Sequence, residues 1–118
     1  MNAIREPAVS GQFYPSTTST LVAAVDNYLA SGGKSENKIP KAIIAPHAGF
    51  IYSGPIAGKA YAPLLAFKSL IKRVVLLGPC HRVAVNGMAL PSSKAFATPL
   101  GEVPIDKCMH EQVSKLPG

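Results

Sequence analysis

Two short aliphatic runs, each ending in a Pro and then a His, constrain this chain more than any other feature. The first, Ala42-Ile43-Ile44-Ala45, passes through Pro46 to His47, within the stretch from Ile39 to Tyr52. The second, Arg73-Val74-Val75-Leu76-Leu77, passes through Gly78, Pro79 and Cys80 to His81. Aliphatic and β-branched runs of this length are the signature of buried strands, so strands are expected at Lys41–Ala45 and Arg73–Leu77. A helical pattern lies between them, and strand, turn, helix and strand in that order predict a right-handed βαβ unit. In open α/β sheets functional groups collect beyond the carboxyl ends of the strands, which is where His47 and His81 fall.

The other elements follow from their punctuation. Ser16 or Thr17 caps a helix that runs to about Ala30, with Leu21, Val22, Val25, Tyr28 and Leu29 on one apolar stripe. Ser31-Gly32-Gly33 ends that helix, and Lys34 to Lys38 form a polar loop. Ser53 is read as the N-cap of a second helix from about Gly54 to Phe67, with Pro55 in its first turn and Pro63 kinking or dividing it. Asn86-Gly87 marks a turn before a brief third strand, Met88–Leu90. Ala95 to Ile105 reads as a hairpin around Pro99 to Gly101, with Pro104 favouring a sheet edge. Asp106 caps a last helical pattern, which stops at Leu116-Pro117-Gly118. Ahead of all this, Arg5 to Pro15 has no period. Its paired rings, Phe13 and Tyr14, are expected to pack back against the domain as core.

At 118 residues the chain supports one small domain or part of a larger one. A sheet of two or three parallel strands needs neighbours to cover it, so the N-terminal portion of a longer protein is expected. An apolar fraction of 47% argues against disorder. The net charge of +6 is scattered, with only Lys72 and Arg73 adjacent, and there is no Trp. No basic stripe or aromatic platform for nucleic acid emerges. No apolar run approaches the ~18 residues that cross a bilayer, and the N-terminus lacks a signal-peptide core, so no membrane role is expected and the cytoplasm is the expected compartment. Cys80 and Cys108 are too few for a disulfide framework and are expected as free thiols.

Taken alone, a His beside a Pro is more often a hydrogen-bonded structural residue than a ligand. Two of them at the ends of neighbouring strands suit a metal such as Fe, Zn, Cu or Ni. Two His, a third ligand and open positions describe either a non-haem Fe(II) site or a catalytic Zn site. His110 is a weak candidate for the third ligand. Tyr52, five residues after His47, would orient a substrate or oxygen ligand, or serve equally as a half-buried interface residue. Arg82 reads as a solvated cation rather than an anion clamp.

On these residues the chain resembles the Memo family, named for a mediator of ErbB2-driven cell motility and known in bacteria and archaea as AmmeMemoRadiSam system protein B. The resemblance covers nearly the whole chain. Its motifs are Arg5-x-Pro7-Ala8-Val9-x-Gly11-x-Phe13-Tyr14-Pro15, Pro46-His47-Ala48-Gly49-Phe50-Ile51-Tyr52-Ser53-Gly54 and Leu77-Gly78-Pro79-Cys80-His81-Arg82. Ala89-Leu90-Pro91 and Ala97-Thr98-Pro99-Leu100-Gly101 continue it. The resemblance implies an α/β/α sandwich with a central, largely parallel sheet, similar to class III extradiol dioxygenases, with this chain as the N-terminal part of a single domain. It implies that His47 and His81 are two metal ligands and that Tyr52 lies near the pocket. The family's remaining ligand, a cysteine, lies beyond the matched residues, and Cys80 stands where relatives commonly have serine.

Three functions are consistent with this reading. One is an iron-dependent redox enzyme related to extradiol dioxygenases, acting on an unidentified small molecule, with zinc or copper as alternative metals. Another is a non-catalytic binding or signalling protein that uses the pocket for peptide or protein partners. The third is a Zn hydrolase, because His ligands alone do not choose the metal.

Overall fold

The computed structural model describes residues 3–33 and 38–117. In chain order the elements are β1 (Ile4–Arg5), α1 (Thr18–Ala30), α2 (Phe50–Tyr61), a 3-10 segment (Ala62–Phe67), β2 (Ala95–Thr98), β3 (Gly101–Pro104) and α3 (Lys107–Val113). The protein is therefore mixed α/β. It divides into two compact units, one from Ala8 to Lys72 and the other from Arg73 onward together with the residues up to Pro7.

In the helical unit, Thr17 stands at the N-cap of α1 with extended backbone, φ −93° and ψ 141°. Leu21 is buried, Val25, Tyr28 and Leu29 are half-buried, and Val22 is exposed. The stripe read from the sequence thus faces inward along most of its length. The helix closes as expected, with Gly32 N–H bonded to Leu29 O (3.0 Å) and Gly33 at φ +85°. The polar loop after it lies outside the described residues apart from Lys38.

The contact between α1 and α2 is made by small residues. Gly54 and Gly58, one turn apart on α2, are both buried against Tyr28. A Cβ at Gly54 would strike the Tyr28 ring, and one at Gly58 would strike the Tyr28 backbone. The close approach lets the Tyr28 ring stand edge-on to Phe50, 5.8 Å between centroids, while its hydroxyl donates to Phe50 O (3.3 Å). Tyr14 meets the same ring at 5.9 Å. Of the paired rings in the N-terminal segment, Tyr14 packs inward as expected, whereas Phe13 is 48% exposed.

In the other unit, β2 lies between β1, to which it runs parallel, and β3, to which it runs antiparallel. The expected hairpin forms with Thr98 opposite Gly101. Thr98 Oγ1 accepts from Leu100 N–H (3.1 Å) and donates to Gly101 O (2.8 Å), which closes the turn. Pro104 lies on β3, the edge strand, where its missing N–H breaks no ladder. Asp106 caps α3 as expected, accepting from Met109 N–H at 3.0 Å. The sheet's first strand, Ile4–Arg5, ends on Arg5, the first residue of the segment expected to be irregular.

Three expected strands do not form. Residues 41–45, 73–77 and 88–90 carry no strand, so α2 is not the crossover of a βαβ unit. Most of their side chains stand in solvent, with Ile44 97% and Leu77 78% exposed, while Ile43 and Ala45 are half-buried. The reason is physical: a buried-type strand is held by ladders and by layers on both faces, and its own sequence supplies neither. The sheet that does form uses other residues. That sheet is mixed, with β1 parallel and β3 antiparallel to β2.

The second helix begins earlier than expected, at Phe50, with Gly49 as N-cap. Pro55 is then interior to the helix. The carbonyl it leaves without a helical donor belongs to Ile51, which is exposed to water. Pro63 acts as anticipated: the α-helix stops at Tyr61 and continues as the 3-10 segment with a Pro in its first turn.

Candidate functional site

His47 lies in the helical unit, on the turn that feeds α2. Pro46, His47 and Ala48 are all exposed, and Gly49 takes the N-cap with φ −57° and ψ 154°. The turn is pinned by main-chain bonds from two sides. Tyr52 N–H and Ser53 N–H both donate to Gly49 O at 2.9 Å, and Phe50 N–H donates to Phe13 O at 2.7 Å. The side chain of Ser53 adds a third tie, its Oγ accepting from Ala48 N–H at 2.9 Å. Ser53 is thus not the N-cap read from the sequence. It sits at the fourth helical position and reaches back past the cap.

Tyr52 occupies the third helical position of α2 and is 80% exposed. It shares a unit and a helix terminus with His47. Beside it, Ile51 is also exposed.

His81 lies in the other unit, in a segment without regular secondary structure, and is exposed like its neighbours Cys80 and Arg82. Cys80 and Cys108 are both free thiols, as expected. His110 is engaged elsewhere. Its Nε2 lies 3.0 Å from Pro91 O, which ties α3 to the segment before β2 and accounts for this ring structurally.

Among the described residues no group of three or more His, Cys, Asp or Glu is placed to hold a metal ion. A cavity of about 290 Å³ opens between α1 and α2, lined by Tyr28, Phe50 and Tyr61 among others. It contains neither His47 nor Tyr52, and its walls offer apolar surface and phenol rings rather than metal donors. Sequence reading missed the Ser53–Ala48 bond, since serine shortly after a Pro-His turn signals a cap as readily as a tether.

A sequence model of the family described as Memo-like protein matches residues 5–118. The chain is 41% identical over 115 residues to a MEMO1 family protein of Aquifex aeolicus, covering 97% of this chain and 41% of that relative. It is 35% identical over 111 residues to Protein MEMO1 of Xenopus laevis, covering 94% and 36%. It is 34% identical over 117 residues to a MEMO1 family protein of Thermococcus onnurineus, covering 98% and 39%. The chain thus spans about two fifths of the length of the curated relatives it matches. No helix among the described residues is long and apolar enough to cross a membrane.

Proposed function

The chain belongs to the Memo family, and from that premise we propose that His47 and His81 are ligands of a non-haem metal site in a redox protein related to extradiol dioxygenases. The observation that supports this reading most is the pair of exposed Pro-associated histidines within the family-matched span. As donors, two imidazoles suit a divalent first-row metal, iron(II) in the first place and zinc or copper as alternatives. They are a partial set, and the third ligand is not in a cluster among the described residues. The metal would supply Lewis acidity and a template for substrate.

The chain's own residues have defined tasks in this reading. His47 presents an imidazole from a turn whose backbone is pinned to α2 and to Phe13. The exposed phenol of Tyr52 orients a small-molecule substrate by hydrogen bonding to one of its oxygens. His81 contributes the second imidazole.

Anaerobic calorimetric titration with iron(II), and separately with zinc(II), tests the assignment. Loss of an outer-shell partner already weakens metal affinity roughly 10- to 100-fold, and loss of a ligand is expected to exceed that in His47→Ala and in His81→Ala. Unchanged affinity in both variants would refute it.

A second reading, a binding surface for a peptide or protein partner, draws support from Ile51 and Tyr52, 83% and 80% exposed beside the His47 turn. His81→Ala separates the two. Under the metal reading it removes metal and turnover, whereas under the binding reading partner affinity survives it.

A further inference from the structure

We propose that Ser53 is a positioning residue that fixes the presentation of His47, an inference that rests on His47 being a metal ligand. Ser53 Oγ accepts a hydrogen bond from Ala48 N–H at 2.9 Å, and Ser53 is only 6% exposed, so water competes poorly for the bond. The Ala48 N–H shares a rigid peptide plane with the His47 carbonyl. Holding that plane anchors the His47 Cα and the Cα–C bond about which its side chain swings, and leaves the imidazole ψ and its side-chain torsions. Freedom is reduced at the residue whose ring must meet a metal.

The bond is poorly explained as simple helix capping. Ala48 precedes the N-cap Gly49, so its N–H is not one of the donors that α2 leaves unpaired at its own end. A serine inside a helix is a weaker helix former than alanine, and its side chain tends to compete with the backbone. The gain from Ser53 therefore lies outside the helix, in the turn that carries His47. The main-chain bonds from Phe50 to Phe13 O and from Tyr52 and Ser53 to Gly49 O hold the helix start itself. Removing the hydroxyl leaves these in place, so Ser53→Ala should keep its fold.

The test uses the Ser53→Ala protein and two readouts. The first, independent of metal, is backbone 15N relaxation at His47. Its order parameter should fall from the rigid range near ~0.85 toward the flexible range below ~0.6, with the thermal midpoint unchanged. The second is zinc(II) and iron(II) affinity, expected to weaken about tenfold, as for loss of an outer-shell partner. Ser114→Ala, which removes a hydroxyl bonded to Glu111 O at the end of α3, is the control and should change neither. An unchanged His47 order parameter overturns the proposal. So does a mobile His47 with unchanged metal affinity in a protein whose His47→Ala variant does lose affinity. If His47→Ala also leaves affinity unchanged, the metal reading has failed, while a more mobile His47 still supports the Ser53 tether.

Discussion

At the scale of the residue, Asp106 shows how much one side chain can organise. One carboxylate oxygen accepts from Met109 N–H (3.0 Å) and the other lies 2.7 Å from Arg73 Nε. The Met109 bond lowers the Asp106 pKa most; partial loss of hydration opposes it, and the Arg73 charge and hydrogen bond reinforce it. The folded-state pKa therefore lies below the ordinary value of 3.8. A depressed carboxylate stabilises the fold above its unfolded pKa and loses that contribution as pH falls through the folded one. The protection factor of the Met109 amide, its exchange taken against the intrinsic rate at each pH, should accordingly hold at neutral pH and fall only below the ordinary carboxylate range. Asp106→Asn, which retains capping ability, should leave Met109 protected and remove the pH dependence. Equal acid sensitivity in both proteins would contradict this account.

At the scale of the element, the helices and the hairpin were legible in the sequence because their signals are local. Pro63 and Asp106 act where they stand, through a missing N–H and a capping carboxylate, and Thr17 takes the N-cap position with extended backbone. Strands at 41–45 and 73–77 were not, because their pattern states what the residues want to bury against and says nothing of whether it is there. The two-residue β1 was missed for the opposite reason: Ile4–Arg5 has no period of its own and is a strand only by pairing with Ala95 and Phe96. At the His47 turn the histidine was legible, while the tie from Ser53 was not. That tie depends on the helix beginning at Phe50 rather than four residues later.

The α1–α2 contact supplies an element-scale prediction. A methyl at Gly58 would meet the backbone of Tyr28, which cannot swing away like a flexible side-chain tip. Helix propensity favours alanine by about 1 kcal/mol, and overpacking opposes it by about 1–3 kcal/mol. Gly58→Ala is therefore expected to be net destabilising, by up to about 2 kcal/mol in chemical denaturation. Stabilisation of the full propensity difference would show that the two helices do not pack this closely.

At the scale of the whole molecule, family membership is carried by 114 matched residues, from Arg5 to Gly118. The chain's mixed α/β architecture combines local helices and a hairpin with the long-range pairing of β1 and β2, and its aliphatic runs are left largely exposed. The functional account turns on the metal assignment of His47 and His81. Native mass spectrometry of the protein, isolated anaerobically from its own source, tests it most directly. One iron per polypeptide, lost in both His47→Ala and His81→Ala, is the predicted result. A metal-free polypeptide, or iron retained in both variants, would contradict the account.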